Sequence, residues 1–237
     1  MTQLYTTLAE VYHDIYQHIF NYDKEFLFYD VILKSHNCRN ILEVGCGSGM
    51  LARRFLENGY DYLGLDLSNE MLDIARRELK SDNFIQSDMR MISFDQQFEA
   101  ILITGRSIAY ITDNKGIIDT LTGIHRALIN NGLLVFDVFD AHQIFDNLDD
   151  FEQIIEHNGK KIRRISKLNK NLSSGWTYDW SAKYIIEQNN ELTKYDDMTT
   201  LRAFTRDEVN LFMKLTGFNC EEIRDEGRMF TIIAKKI

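Results

Sequence analysis

From residue 40 onward, short apolar runs alternate with stretches that have the spacing of amphipathic helices, and this alternation constrains the fold more than any other feature. The apolar runs are Ile41–Val44, Tyr62–Leu65, Asn83–Gln86, Ala100–Ile103 and Leu133–Val138. The helix-like stretches between them lie near 49–58, 69–80 and 114–129. Strands that are apolar throughout and alternate with helices indicate a parallel sheet covered on both faces. We therefore predict a doubly wound α/β domain with a mostly parallel sheet.

The segment before this pattern is predicted to be helical. Residues 7 to about 35 carry apolar side chains at a spacing that follows one face of a helix, beginning with Leu8, Val11 and Ile15. Tyr12 and Tyr16 lie beside this stripe. Two interpretations of these tyrosines stay open, namely packing in the core and contact with a ligand.

After Asp140 the alternation ends and the pattern becomes that of antiparallel strands. Phe151–His157 and Lys160–Leu168 flank Asn158-Gly159, a pair that readily adopts the positive φ angles of a two-residue hairpin turn. A second pair of runs, Trp176–Glu187 and Thr193–Phe204, flanks the polar turn Gln188-Asn189-Asn190. We predict that residues of about 141–204 form an antiparallel β insertion. Its aromatic stripe of Trp176, Tyr178, Trp180 and Tyr184 either forms a buried sheet face or lines a substrate pocket.

The chain is expected to return to the main sheet after the insertion. Thr205 followed by Glu208 is a capping-box pattern that opens a helix, and Gly217 ends it. The apolar run Phe230–Ala234 follows as a further strand. The predicted organisation is therefore a core of residues 1–140 and 205–237, interrupted by an insertion of residues 141–204.

Composition and charge disfavour several classes of protein. No apolar run approaches the ~18 residues that a membrane span requires, and the first residues lack the basic and apolar regions of a signal peptide. The net charge of −9 disfavours binding to nucleic acid. The three cysteines lack CxxC spacing and the six histidines lack metal-ligand spacing. We expect a cytoplasmic protein, a monomer or homodimer, that holds no metal and binds neither nucleic acid nor membrane.

The strongest local signal is the strand Ile41–Val44 and the glycines that follow it at positions 45, 47 and 49. Glycine lets the backbone turn tightly and approach a ligand where a Cβ would collide. A nicotinamide-binding G-x-G-x-x-G loop would place a third glycine at position 50, where Met50 stands, and this disfavours an NAD-dependent oxidoreductase. Asp66 ends the second apolar run, where a carboxylate can accept hydrogen bonds from both hydroxyls of a ribose. Asp88 follows the third run, placed either to touch an adenine or to cap the next turn.

Taken in order, E-V-G-C-G-S-G, G-L-D-L-S and Q-S-D-M-R resemble the motifs of class I S-adenosylmethionine (SAM) dependent methyltransferases. The resemblance implies a Rossmann-like core, SAM as cofactor and S-adenosylhomocysteine as product. It also implies roles for individual residues. The loop under the methionine part of SAM would be Gly45, Cys46, Gly47 and Gly49. The nucleoside would be held by Asp66 at the ribose, by Leu67 and Met71 on both sides of the adenine, and by Asp88 and Met89 at its polar edge. Thr104 would lie below the sulfonium.

Three further segments are similar to a small-molecule subgroup that includes bacterial sugar-amine N-methyltransferases. These segments are Phe98–Ile103, Ser107–Ile111 and 131–137. The tyrosine-rich start, 11–16, also matches this group, in which a tyrosine closes over SAM; Tyr12 is the candidate here. The resemblance implies that the insertion and the N-terminal helices form a lid over the substrate. Arg106 departs from the subgroup, in which this position is usually small or acidic.

The acceptor of the methyl group is predicted to be N or O of a small polar molecule. A base is needed only if the acceptor arrives protonated, and Tyr12, Asp137 and His142 are the candidates. Asp137 lies near the end of the fifth apolar run and His142 follows it, at the edge of the sheet where ligands of open α/β folds bind. A basic run between Lys160 and Lys170 is either a solvated hairpin face or a grip on a phosphate or carboxylate. The alternative functions are a non-catalytic SAM-binding module and the disfavoured oxidoreductase.

Overall fold

The computed structural model describes residues 2–157, 159–189 and 191–237. The helices are α1 (Ala9–Ile19), α2 (Tyr22–Ser35), α3 (Met50–Glu57), α4 (Asn69–Leu79), α5 (Asn114–Ala127), α6 (Ala141–Asp146) and α7 (Arg206–Leu215). The strands are β1 (Asn40–Val44), β2 (Asp61–Asp66), β3 (Phe84–Gln86), β4 (Phe98–Ile103), β5 (Leu128–Phe139), β6 (Phe151–His157), β7 (Lys160–Lys170), β8 (Thr177–Gln188), β9 (Glu191–Arg202), β10 (Phe218–Asp225) and β11 (Met229–Lys236).

Seven strands form the main sheet in the order β10-β11-β5-β4-β1-β2-β3. Strands β1 to β5 are parallel to one another, whereas β11 is antiparallel to β5 and β10 is antiparallel to β11. The predicted mostly parallel, doubly wound sheet is thus confirmed. Val44, the last residue of β1, pairs with Leu65 on one side and Ile103 on the other. The loop that leaves β1 therefore begins between the carboxyl ends of β2 and β4.

Both faces of the main sheet are buried, as the apolar runs predicted. Leu42 and Val44 belong to a hydrophobic cluster that includes residues of α5 and α7. Ile41 belongs to a second cluster that includes residues of α2, α3 and α4. Because successive side chains of a strand point to opposite faces, this division shows helices packed on both sides of β1.

A separate antiparallel sheet has the strand order β6-β7-β8-β9. Both predicted hairpins are present as β6 paired with β7 and β8 paired with β9. Of the residues assigned to the two hairpin turns, Asn158 and Asn190 lie outside the described residues. The expectation that the antiparallel part begins near 141 is wrong, because α6 occupies Ala141–Asp146 and the first strand starts at Phe151. The cause is local: the Asp140 side chain accepts hydrogen bonds from the N–H groups of the next turn and caps a helix there.

The N-terminal segment joins the two sheets. Leu4, Leu8 and Ile15 pack in one cluster with Ile162 and Tyr184 of the antiparallel sheet. On its other side, Ala9 of α1 packs with Met71 and Ile74 of α4. The predicted N-terminal helical region therefore packs between the antiparallel sheet and the main domain. In the part of the chain described here, no helix is both long and apolar enough to cross a membrane.

Candidate active site

A cavity of about 820 Å³ lies at the carboxyl ends of β1, β2 and β4 and extends to the antiparallel sheet. Its volume lies within the range of small-molecule sites. One end is lined by Gly45, Asp66 and Met71, and the other end by Arg164 and Trp180. Residues of the main domain, the N-terminal segment and the antiparallel sheet thus share one cavity.

The loop after β1 forms one wall of this cavity, and its glycines serve different purposes. Gly45 has a φ of +77°, and a Cβ there would lie 2.3 Å from the Ser107 Oγ atom. Gly45, Cys46 and Gly47 line the cavity. Gly49 does not; a Cβ at this position would lie 3.0 Å from Ala75 Cβ, at the contact between α3 and α4. Of the four predicted loop residues, the structure therefore brings three to the cavity and gives Gly49 a packing role.

Asp66 ends β2 and faces this loop. Its Oδ2 atom accepts a hydrogen bond of 2.9 Å from the Gly47 N–H, and Oδ1 accepts one of 2.9 Å from the Ser68 N–H. Burial raises the pKa of Asp66, and these N–H groups counteract the rise. The carboxylate lines the cavity, so Asp66 both fastens the glycine loop and presents acceptor oxygens to a ligand.

The remaining predicted nucleoside contacts lie along the same end of the cavity, which is lined by Leu67, Met71, Asp88 and Met89. Leu67 is exposed and Met71 is buried. Asp88 accepts hydrogen bonds of 2.9 and 3.1 Å from Arg90 Nε, and its side chain also caps the following turn. The neighbouring Arg90 guanidinium lowers the pKa of Asp88. Both interpretations of Asp88 are therefore compatible with its position.

Below the loop lies a buried carboxyl that the sequence analysis did not assign. Glu43 is 1% exposed and accepts hydrogen bonds from Tyr62 Oη at 2.6 Å and from Thr104 Oγ1 at 2.7 Å. Burial raises the pKa of Glu43 to about 7, although both hydrogen bonds act in the opposite direction. Glu43 and Thr104 both line the cavity. The signal that could have found this group is a single charged residue inside the apolar run Ile41–Val44.

Three tyrosines of the N-terminal segment and Tyr110 form a further part of the cavity wall. The rings of Tyr12 and Tyr16 stack with centroids 3.9 Å apart, and the hydroxyls of Tyr5 and Tyr110 lie 2.7 Å apart. All four tyrosines line the cavity. Burial raises the pKa of the Tyr12 phenol well above its ordinary value. At neutral pH this hydroxyl is therefore protonated and acts as a hydrogen-bond donor, which disfavours a role as general base.

The other two candidate bases lie elsewhere. Asp137 is 5% exposed and does not line the cavity; its Oδ1 atom accepts a hydrogen bond of 2.9 Å from the Arg106 N–H, and Oδ2 lies 3.8 Å from Arg106 Nε. His142 is exposed on α6, with its ring 6.0 Å from that of Trp176, and does not line the cavity either. The structure thus brings Tyr12, but neither Asp137 nor His142, to the candidate site.

A carboxyl on α2 lines the cavity without any local sequence signal. Glu25 makes no side-chain hydrogen bond or ion pair to another described residue, and burial raises its pKa to about 7. Negative charge from Asp137 acts in the same direction, whereas the Arg106 guanidinium opposes it. Glu25 is therefore able to exchange a proton near neutral pH. Within the described ranges, no group of three His, Cys, Asp or Glu residues is arranged to hold a metal ion.

Comparison with known proteins shows which family the sequence of this chain matches. A family model described as a methyltransferase domain matches residues 41–132. The chain is 33% identical over 229 residues to YqeM of Bacillus subtilis (strain 168), a protein named as a methyltransferase by inference. The match covers 93% of this chain and 88% of that protein.

Two solved structures share the fold across most of their length. One is SAM-bound CalS10, an amino pentose methyltransferase from Micromonospora echinaspora, with a TM-score of 0.84, 18% identity and coverage of 96% and 97% of the two chains. The other is the sugar N-methyltransferase KedS8 from Streptoalloteichus sp. ATCC 53650, with a TM-score of 0.81, 21% identity and coverage of 91% and 88%.

Proposed function

Because the chain belongs to the class I SAM-dependent methyltransferase family, we propose that it transfers the methyl group of SAM to a nitrogen or oxygen atom of a small polar molecule. The observation that carries the proposal is the hydrogen bond between the glycine loop and Asp66, which holds a carboxylate beside Gly47, a loop position without a Cβ atom. A nucleoside with two free ribose hydroxyls suits such a site.

The residues at this end of the cavity fit SAM. A Cβ at Gly45 would strike Ser107, and one at Gly47 would lie 3.3 Å from Met71 Cε. We assign the methionine part of SAM to this loop, the ribose hydroxyls to Asp66, and the faces of the adenine to Leu67 and Met71. Asp88 and Met89 would meet the adenine edge, and Thr104 the sulfonium region. SAM supplies a methyl group already activated by a sulfonium, so the protein's main task is to orient the acceptor and exclude water.

The far end of the cavity is proposed to hold the acceptor. Tyr16 forms one wall there, and Tyr178 and Trp180 of β8 form another. Tyr12 packs against the cluster that contains Met71 and so lies between the two ends. Aromatic walls exclude water and leave room for a few polar contacts. The N-terminal segment and the antiparallel sheet would together act as the lid, since their side chains pack in one cluster. The amino pentose and sugar N-methyltransferase activities in the names of the two structural neighbours favour nitrogen as the acceptor atom.

An acceptor amine that arrives as the ammonium must lose a proton before its nitrogen lone pair can attack the methyl group. We propose Glu25 for this step, because it lines the cavity, has no side-chain hydrogen-bond partner among the residues that the structure describes, and has a pKa that burial raises to about 7. Tyr12 would instead orient the acceptor by donating a hydrogen bond. Asp137 is engaged by Arg106 and His142 lies at the surface, so neither is retained in this role.

The proposal is tested by incubating the protein with SAM and a panel of amino sugars, amines and phenols, and measuring release of S-adenosylhomocysteine. Acceptor-dependent release is the expected result. A thermal-shift comparison of SAM with NAD provides the control for cofactor identity, and only SAM is expected to raise the Tm. Binding of SAM without product release for any acceptor would favour the non-catalytic module, and stabilisation by NAD alone would contradict the proposal.

A further inference from the structure

Arg164 is a buried cation at the acceptor end of the cavity. It lies on β7, is 6% exposed and lines the cavity. Its Nη1 atom donates a hydrogen bond of 2.7 Å to the Tyr16 hydroxyl, and Nη2 donates to the Gln153 side chain. The guanidinium also lies 5.4 to 5.8 Å from the ring centroids of Tyr16, Phe151 and Trp180. All of these contacts are to neutral groups.

No carboxylate of a described residue forms an ion pair with Arg164, although its neighbours on the same strand are paired. Arg163 Nε lies 2.6 Å from Glu152, and Lys160 Nζ lies 2.6 Å from Asp14. The buried acid Asp197 is engaged by the Gln3 N–H at 2.8 Å. A buried charge without a counter-charge is unfavourable, because the loss of hydration is compensated only in part by neutral contacts. Among the described residues, this buried positive charge therefore has no negative partner.

Further hydrogen-bonding atoms without partners lie on the same face of the sheet. Arg164 and Ser166 are two residues apart on β7 and so point to one face. Leu168 continues that face and pairs with Trp180 of β8. Arg164 Nε, Ser166 Oγ and Trp180 Nε1 are all buried and have no hydrogen-bond partner within the described ranges. Arg164 Nε and Trp180 Nε1 can only donate hydrogen bonds, and the Ser166 hydroxyl can also donate one. This face of the antiparallel sheet therefore presents several hydrogen-bond donors around a cation.

We propose that Arg164 binds an anionic group of the methyl acceptor, a carboxylate or a phosphate, and that the substrates are therefore small amines or alcohols carrying such a group. This inference rests on the proposed function. A guanidinium presents a planar array of donors that matches carboxylate and phosphate oxygens, and an oxyanion would supply the missing negative charge. A purely structural Arg164 would account for the ring contacts but not for the unpartnered charge.

Calorimetry with two matched pairs of probes tests the proposal on the protein loaded with S-adenosylhomocysteine, at constant ionic strength. Glucosamine 6-phosphate is compared with glucosamine, and 4-aminobutanoate with 4-aminobutan-1-ol, so that the pairs separate phosphate from carboxylate recognition. At least one anionic probe is expected to bind tenfold or more tightly than its neutral counterpart. If neither does, the proposal is wrong.

Variants identify the residue responsible. Arg164→Gln is expected to lose the preference for the anionic probe, and Arg164→Lys, which keeps the charge, to retain part of it. The matched control is Arg163→Gln on the same strand, whose side chain is exposed and paired with Glu152; it is expected to bind like the wild type. An unchanged preference in Arg164→Gln, or an equal loss in Arg163→Gln, would overturn the assignment.

Binding of S-adenosylhomocysteine and SAM is measured on the same preparations. Unchanged cofactor affinity in Arg164→Gln shows that the variant is folded and that the loss is confined to the acceptor end. Absence of cofactor binding in the wild type would contradict the proposed function. In that case, the preference for anionic over neutral probes is measured on the protein without S-adenosylhomocysteine. The proposed function and the proposed role of Arg164 can therefore fail independently.

Discussion

The Gly47 N–H donates a hydrogen bond of 2.9 Å to Oδ2 of Asp66, so the loop after β1 is fastened to the carboxyl end of β2. The two motifs that stand 19 residues apart in the sequence thus form one structural unit. An acid that orders the loop in the free protein can also accept the hydroxyls of a bound ribose, because a carboxylate has several acceptor positions.

Replacing Asp66 with alanine is expected to abolish measurable SAM binding while the circular dichroism spectrum is retained. Each hydrogen bond to a charged group contributes about 1.5–3 kcal/mol, so losing two ribose contacts weakens binding by roughly 100-fold or more. Calorimetry provides the measurement. Asp61→Ala, at the exposed start of the same strand, is the control and should bind SAM normally. Full-strength binding by Asp66→Ala would remove the ribose assignment.

Gly45→Ala is expected to impair both stability and SAM binding. The φ of +77° costs a residue with a Cβ about 1–2 kcal/mol, and the contact with Ser107 adds to this. Gly59 has the same φ of +77° with nothing within 4 Å of an added Cβ, so Gly59→Ala measures the backbone cost alone. Urea unfolding should show a larger loss for Gly45→Ala, partly recovered by Ser107→Gly in the same chain. Equal losses for the two alanine variants would show that the contact with Ser107 is unimportant.

Arg106→Met is expected to lower the free energy of unfolding by about 3–5 kcal/mol, because it leaves Asp137 buried without its cation. Burial already raises the pKa of Asp137 and the guanidinium counteracts this. Without Arg106 the pKa rises further, so the destabilisation should be smaller at pH 5 than at pH 8, where the carboxyl is charged. A double-mutant cycle with Asp137→Asn checks the coupling. Additive losses would mean that the two side chains do not interact.

Glu43 is expected to make the protein less stable as the pH rises toward neutral. Its pKa is about 7 in the folded protein and about 4.5 when unfolded, so the folded state holds the extra proton between these values. Stability from this group is complete below about pH 4.5 and declines by up to about 3 kcal/mol as the pH passes 7. Urea unfolding of wild type and Glu43→Gln at pH 5 and pH 8 measures the difference. An equal pH dependence in both proteins would contradict the raised pKa.

The parallel sheet and the position of the glycine loop could be predicted because both depend on local patterns. Apolar strands alternate with helices, and residues at the strand ends then gather at one edge of the sheet. Strand β10 was missed because Phe218 and Ile223 are separated by polar residues and a register shift between Cys220 and Glu222. Without regular alternation, no strand signal is visible.

The groups that distinguish this site depend on distant contacts. The pairing of Arg106 with Asp137 joins residues 31 positions apart, and Arg106 adopts a φ of +59° that is uncommon for a residue with a side chain. The sequence does not single out Arg164, because it stands in a basic run whose members have similar side chains. The two-residue period of β7 separates them, leaving Arg163 exposed and Arg164 buried.

The most direct test of the account is a crystal structure of the protein with SAM. The account predicts the nucleoside at the end of the cavity lined by Leu67 and Met71, with both ribose hydroxyls within hydrogen-bond distance of the Asp66 carboxylate and the methionine part against Gly45 and Gly47. Electron density for SAM at any other place, or none at saturating concentration, would contradict it.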